Sequence, residues 1–314
     1  AMGSMIMNIA ANVLGLDNAA TPMGLKAMEQ LQTLNPHKDR ASDAQILFMV
    51  INSSAVTLIP ITILMYRSEL GAANPSAVFM PILFATSLST LAGFLAVAVV
   101  QRLNVFNRVV MAYLGGFILF IGVVAFYFCS LPETERLSVS ANCGNFLLFA
   151  VIVAFIGAGV VKKLNVYETF VVGAKEGFEI AVRIIPYLVA MLVAIAVFRA
   201  SGALDFLVEG FAAVFGWLGI DTGFVAALPT ALLKPLSGSG ARAMMIETMT
   251  TYGADSFPAF VSAVVQGSTE TTFYVLAVYF GAVKITKVGA ALPCALFADF
   301  VGIASAICFS YLFY

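Results

Sequence analysis

One stretch of this chain occurs twice, and the charges around the two copies predict that they cross a membrane in opposite directions. The first copy runs from Asp17 through DNAATPMGLKAM, continues with NSSAVTLIPITILMY from Asn52 and ends with MPILFATSLSTLAG from Met80. The second runs from Leu233 through LKPLSGSGARAM, then QGSTETTFYVLAVYF from Gln266 and LPCALFADFVGIAS from Leu292. Lys26-Ala27-Met28 falls on Arg242-Ala243-Met244, Asn52 on Gln266, Ser54 on Ser268, Thr57 on Thr271 and Pro81 on Pro293. The spacing barely drifts between copies, as duplication requires. An inverted duplication inside a membrane is an architecture of solute transporters.

The membrane follows from composition. Of 314 residues 61% are hydrophobic and 11% charged, where a soluble domain carries about 25% charged residues. Apolar runs long enough to span cover Ile46 to Tyr66, Ala77 to Val100, Val109 to Leu131 and Asn145 to Val161. Shorter or more broken runs cover Ile184 to Phe198, Phe257 to Val283 and Val288 to Tyr314. These predict about seven spanning helices. Leu204 to Leu218 is amphipathic. Phe224 to Tyr252 is apolar but interrupted by Pro229, Pro235, Gly238 and Gly240, the text of a re-entrant hairpin or broken helix, and Asn8 to Leu31, with Gly15, Pro22 and Gly24, is its counterpart in the first copy.

Lys26, Lys38, Arg40, Arg102, Arg108, Lys162, Lys163, Lys175 and Arg183 fall in one set of alternate connections, and only Arg67, Arg136 and Arg199 in the other. Basic loops stay cytoplasmic, so the first set is expected inside. If the second hairpin enters and leaves on one side, Lys284 and Lys287 also fall inside, the repeats are inverted and the C-terminus is outside. With a net charge of -1 and no basic block, nothing attracts a phosphate backbone, and nucleic acid is not expected as a partner.

Polar groups crowd into the interrupted stretches: Asn8, Asn12, Asp17, Asn18 and Thr21 in the first, and Lys234, Ser237, Ser239 and Arg242 in the second. Exposed backbone groups and half-helix dipoles at such breaks create ligand sites; the alternative is that the side chains only satisfy the broken backbone. Asn52, Ser54, Gln266, Ser268, Thr269 and Glu270 sit inside spanning segments at matching places, so with Asn12, Asp17, Asn18, Lys234, Ser237 and Ser239 they are the candidate substrate-binding set. Glu270 and Asp299 are the candidates for a coupling ion, because a carboxylate at bilayer depth must be paired, protonated or ligand-bound. Lys234 or Arg242 as a structural counter-ion for Glu270, and a helix-to-helix hydrogen bond for Asp299, remain the plainer alternatives.

Other motifs carry less. Cys129 and Cys143 flank a polar loop, and Cys294 and Cys308 lie in one apolar segment; they read as buried or lipid-facing thiols, the alternative being a Cys129 to Cys143 disulfide in an oxidising compartment, and no metal-ligand spacing is present. His37 lies among Lys38, Asp39 and Arg40 and reads as a solvated loop residue. Gly115-Gly116 and Gly157 to Gly159 are expected to let helices approach closely. SGSG at Ser237 to Gly240 lacks the P-loop pattern, and no Ser, His and Asp set suggests catalysis. No enzyme activity, metal or cofactor is therefore expected.

The motifs NIAANVLGLDNAATPMGLKAM, KPLSGSGARAMM and GSTETTFYVLAVYFGAVK resemble those of the bacterial spore maturation A and B membrane proteins, fused in one chain. The first half resembles the A protein without its N-terminal portion; the second, from about Tyr167, resembles the whole B protein. The resemblance implies the nucleoside recognition, or Gate, domain shared with concentrative nucleoside transporters and the ferrous iron permease. GSTETT is similar to the GQTEAP-like hairpin of nucleoside transporters, which implies that Gln266, Ser268, Thr269 and Glu270 lie near a substrate. This chain has Gly267-Ser268 where that motif has Gly-Gln, so the amide that would read a base is absent.

The expectation is an all-α polytopic membrane protein of two inverted Gate-type repeats with re-entrant or broken helices. Residues 1–4 read as a cloning scar, 5–104 as a first repeat that is N-terminally incomplete, 105–166 as connecting transmembrane helices and 167–314 as the second repeat. An N-terminal extension bearing at least one more helix is expected in the native protein. The expected function is movement of a small polar solute across the bacterial inner membrane by alternating access. A non-transporting scaffold for an envelope or developmental process and a lipid-linked substrate flippase are the alternatives. The expected partners are the lipid bilayer, that solute and a further copy of the chain.

Overall fold

The computed structural model describes all residues except 17–19, 176, 177, 180, 181, 183, 184, 187 and 188. The described residues form α-helices and two short 3-10 turns, with one isolated bridge between Arg40 and Lys287. In chain order the helices are α1 (Met2–Val13), α2 (Asp17–Leu34), α3 (Asp43–Ser53), α4 (Ile61–Glu69), α5 (Phe79–Val100), α6 (Arg108–Ser130), α7 (Glu133–Val161), α8 (Val166–Ala200), α9 (Ala203–Trp217), α10 (Leu228–Leu233), α11 (Gly238–Tyr252), α12 (Phe257–Ser268), α13 (Thr272–Ala282) and α14 (Ala291–Phe313). This is an all-α polytopic membrane fold.

Among the described residues, α6, α7, α14 and α5 with its leading turn (Pro75–Val100) are long and apolar enough to cross a membrane. Val189–Ala200 and Ala203–Trp217 form a fifth candidate, bent by 68°. The expected spans Ile46 to Tyr66 and Phe257 to Val283 are not continuous. The first breaks between α3 and α4, the second between α12 and α13.

Local sequence explains both breaks. Helix α3 starts with a capping box of Ser42 and Gln45 and ends at Ser54; Pro60 then occupies the N-cap of α4, where its missing N–H costs nothing. Helix α12 starts at a Ser256 cap followed by Pro258 and ends at Thr269 in extended backbone. The interrupted stretches fold as two hairpins, α1–α2 and α10–α11. Each hairpin tip is tied to the break of its own half: Leu58 N donates to Val13 O at 2.8 Å, and Phe273 N to Pro235 O at 3.0 Å. The fit is close. A Cβ on Gly15, which has φ +68°, would strike Ile59 O, and one on Gly238 would come within 2.6 Å of Thr271 Oγ1.

The hairpins enter from opposite faces. Around α2 and α3, Ala41 N donates to Lys287 O at 2.9 Å and Gln101 Nε2 to Asp43 O at 2.9 Å. This gathers the 35–43, 101–108 and 284–290 connections on one basic face. Exposure leaves Asp39 and Lys287 there as a surface pair 3.0 Å apart. On the other face Arg67 bonds Ala254 O and Pro75 O, Arg136 Nη1 donates to Leu312 O at 2.8 Å, and Tyr314 Oη donates to Asp255 O at 2.7 Å.

Two hydrophobic cores follow from this layout. One holds Phe79, Phe84, Phe128, Phe260 and Phe313 toward the opposite face; the other holds Met28, Phe48, Met49, Phe280 and Cys294 toward the basic face. Ser89 Oγ donates to Ala298 O at 2.9 Å between them, joining α5 to α14. The helix breaks lie at that level.

One expectation is corrected, and one alternative is not realised. Gly115, Gly116 and Gly157 have nothing within 4 Å of where a Cβ would stand, so they do not mediate close packing within the chain; only Gly159 meets a neighbour, Val166 Cγ2, at 3.0 Å. Cys129 and Cys143 are not bridged, and both are free thiols on α6 and α7.

Candidate functional site

The two broken helices touch at their breaks. Glu270 N, between α12 and α13, donates to Ser53 O at the end of α3, 2.8 Å away. A backbone exposed in this way inside a membrane protein must be met by polar partners or line a cavity, and both solutions are used.

Above the crossing lies a cavity of about 370 Å³, lined among others by Thr57, Tyr66, Lys234, Ser237, Ser239, Arg242, Gln266, Thr269, Glu270 and Tyr274. That volume lies within the roughly 300–1,000 Å³ of small-molecule sites. The N-terminus of α11 opens into it. Ser237 caps that helix by accepting from Gly240 N at 3.1 Å and lies 3.3 Å from Ser239 Oγ. Helix N-termini favour anions, and Lys234 and Arg242 add positive charge beside the single carboxylate of Glu270.

Below the crossing, toward the basic face, lies a second cavity of about 140 Å³. Asn12, Thr21, Asn52, Glu270, Tyr274 and Tyr279 are among its walls. Its polar wall is a network: Asn12 Nδ2 donates to Asn52 Oδ1 at 2.9 Å, Tyr279 Oη donates to the same oxygen at 3.3 Å, and Asn8 Nδ2 donates to Tyr279 Oη at 3.0 Å and Ala20 O at 2.8 Å. Asn52 Nδ2 in turn donates to Phe48 O at 2.8 Å. Glu270 and Tyr274 line both cavities.

Of the candidate substrate residues, Lys234, Ser237, Ser239, Gln266, Thr269 and Glu270 line the larger cavity, and Asn12, Asn52 and Glu270 the smaller. Ser54 and Ser268 line neither; each hydroxyl bonds a carbonyl of its own helix, Val50 O and Val265 O, both at 2.8 Å. Asp17 and Asn18 lie outside the described residues. Asp299 is buried in α14, 2% exposed, facing the hydroxyls of Thr269 and Thr272 with the charge of Lys234 acting on it. The hydroxyls of Thr269 and Thr272 act on the carboxylate as hydrogen-bond donors, although neither carboxylate oxygen has a partner at full hydrogen-bond geometry. Gln266 Oε1, Thr269 Oγ1 and Thr272 Oγ1 are buried and without such a partner as well.

The sequence reading missed Tyr274 and Tyr279. Aromatic residues in an apolar run ordinarily read as core or interface anchors. No helical spacing linked them to Glu270, which lies in the break before α13. Among the described residues no group of His, Cys, Asp and Glu could hold a metal ion.

Comparison with known proteins agrees with this architecture. The family model described as nucleoside recognition, the Gate domain, matches residues 181–286. Spore maturation protein B of Bacillus subtilis (strain 168) is 52% identical over 149 residues, which is 48% of this chain and 82% of the relative. Spore maturation protein A of the same organism is 43% identical over 89 residues, 28% of this chain and 45% of the relative. No solved structure matches.

Proposed function

The chain belongs to the spore maturation membrane protein family, and from that premise we propose that it moves a small polar solute across the bacterial inner membrane by alternating access. One observation carries the reading: two polar cavities on opposite sides of the helix crossing share Glu270 and Tyr274 as their common wall. A rocking motion of one half against the other would open the path on one side of that wall and close it on the other. At this wall the two breaks meet through the bond from Glu270 N to Ser53 O.

In this reading Lys234, Arg242 and the α11 N-terminus receive an anionic part of the solute, and Glu270 faces a cationic or hydrogen-bond-donating part. Glu270 or Asp299 couples the movement to a cation or proton. The basic face is cytoplasmic by the positive-inside rule, which leaves the C-terminus outside. No enzyme activity is proposed.

The test is a thermal-shift screen of purified protein against nucleosides, amino acids, divalent metals and small dicarboxylic acids, run beside Glu270→Gln. A ligand present at 100 times its dissociation constant stabilises a fold by about 2.7 kcal/mol. A stabilising solute whose effect is lost in Glu270→Gln, and which moves in proteoliposomes, supports transport. If no solute stabilises the protein and Glu270→Gln lowers only its stability, a non-transporting scaffold replaces this reading.

A further inference from the structure

We infer that Asp299, Thr269 and Thr272 form a site for one monovalent cation, Na⁺, at the break between α12 and α13. This deepens the coupling part of the proposed function and rests on it only for the ion's role in transport; binding itself stands on the geometry.

Three buried side chains converge from two helices. Asp299 is 2% exposed, Thr269 3% and Thr272 fully buried. The two hydroxyls lie close enough to act on the carboxylate as donors, yet none of the four oxygens has a partner at full hydrogen-bond geometry. Buried oxygens left in that state are costly. Oxygens that share a cation stand around it at about 2.3–2.6 Å, by analogy with Ca²⁺ coordination, and turn their lone pairs to the ion rather than a hydrogen to one another. The break adds the C-terminal end of α12, whose last carbonyls are without helical partners and carry negative partial charge. Unwound backbone with a half-helix C-terminus is how broken transmembrane helices bind Na⁺. One carboxylate with neutral oxygens matches a single positive charge, and the Lys234 charge acting on Asp299 disfavours a divalent ion.

The duplication supplies an internal control. In the register that pairs Asn52 with Gln266, Thr269 and Thr272 fall on Ala55 and Leu58; in the register that pairs Pro81 with Pro293, Asp299 falls on Ser87. Ala55 is buried, Leu58 packs on the hydrophobic core, and Ser87 Oγ donates to Leu83 O of its own helix at 2.6 Å. Both halves have a broken helix, and the hydroxyls that both keep beside it are Ser54 with Ser268 and Thr57 with Thr271. The carboxylate and these two threonines, Thr269 and Thr272, occur in the second half only. Gly302, one turn beyond Asp299, admits the approach: a Cβ there would lie 2.6 Å from Thr269 Cγ2 and 3.0 Å from Ser89. Thr269 also lines the larger cavity, which gives the ion a route to the site and places it beside the solute.

The experiment is thermal unfolding of detergent-purified protein at pH 8, without solute, in NaCl against choline chloride at equal ionic strength. The midpoint is expected to rise with Na⁺ along a saturating curve. Asp299→Asn abolishes that rise, and Thr269→Val and Thr272→Val shift its half-saturation at least tenfold. If Asp299→Asn does not fold, the two threonine variants decide. Equal midpoints in Na⁺ and choline for the unsubstituted protein, as a carboxylate held only by Lys234 would give, overturn the site. So does a Na⁺ effect that survives Asp299→Asn or is indifferent to both threonine variants. Because no solute is present, failure here leaves the transport reading to its own screen.

Discussion

Replacing Arg67 with methionine tests how the face opposite the basic one is held together. The guanidinium is 2% exposed, with Nε donating to Pro75 O at 3.1 Å and Nη1 to Ala254 O at 3.2 Å. Nη2 stands 3.6 Å from Asp255 Oδ1, and the group lies 5.7 Å from the centre of the Phe260 ring. One side chain thus joins the end of α4, the start of α5 and the turn between α11 and α12. The Asp255 carboxylate is 54% exposed, so the ion pair itself contributes about 0–1 kcal/mol. The carbonyl bonds from a charged donor contribute about 1.5–3 kcal/mol each, and the ring about 0.5–2 kcal/mol, without strict additivity. Methionine fills much of the volume and leaves both carbonyls unmet. Arg67→Met should therefore destabilise the protein by roughly 3–5 kcal/mol, and Asp255→Asn by no more than about 1 kcal/mol. Cys294 is buried, 4% exposed, so its reaction with a thiol dye in rising denaturant reports unfolding once Cys129, Cys143 and Cys308 are changed to serine. Equal losses for the two variants would show that the ion pair, not the carbonyl clasp, holds this face, and the reasoning would fail.

Further expectations follow from the hairpins and the basic face. Gly15→Ala must combine a left-handed backbone with a Cβ driven onto Ile59 O, at a cost of roughly 2–5 kcal/mol. Gly116→Ala, with open space around it, should be neutral or stabilising by up to about 1 kcal/mol, and the same dye assay separates the two. Gly24→Ala places a methyl on the Tyr279 hydroxyl; the loss should be partly relieved by Tyr279→Leu, and a double-mutant cycle measures the relief. The Lys287 ammonium, first by hydrogen bonding and then by its charge, holds the Asp39 carboxyl below its usual range. A lowered carboxylate pKa stabilises above the unfolded value of 3.8 and is lost as pH falls through the lowered value. Pepsin cleavage within residues 35–42 should therefore quicken across that acidic window, and Lys287→Met should remove the change; an unaltered profile in that variant would refute the clasp.

Much of the fold was legible because membrane helices write long apolar runs, and duplication writes the same breaks twice. Pro22, Pro235 and Gly238 marked where regular helix could not continue. Spans made of two half-helices were not legible as such, because Ile46 to Tyr66 is apolar enough overall to read as one span and its break depends on how Gly15, between α1 and α2, docks against Ile59. Arg67 misled for a related reason. A single arginine after an apolar run reads as a loop charge, and only the approach of Ala254 from far along the chain shows that it is buried. At the site, charge in an apolar context pointed to Lys234, Glu270 and Asp299, whereas hydroxyls could not be sorted in sequence. Ser268 turns back on its own helix and Thr269, the next residue, faces Asp299, since the helix ends between them.

That one-residue difference bears on how a duplicated protein could become directional. Two identical inverted halves would present the same surface to each side of the membrane and would have no reason to bind an ion in one state rather than the other. Here the halves keep the shared mechanics: a hairpin tip tied to a break by one backbone bond, 2.8 Å in the first and 3.0 Å in the second. They differ in what the break carries. The first has Ala55, Leu58 and a self-satisfied Ser87; the second has Thr269, Thr272 and Asp299, with Glu270 between the threonines on the wall shared by both cavities. A ligand shifts a conformational equilibrium only by its difference in affinity between the two states. The asymmetric half is where that difference can arise, because moving α13 against α14 changes the distances from Thr269 and Thr272 to Asp299. Introducing Thr at Ala55 and Leu58 with Asp at Ser87 should therefore create a second Na⁺-dependent step in the thermal titration, and an unchanged single step would show that the break geometry, not the three side chains, makes the site.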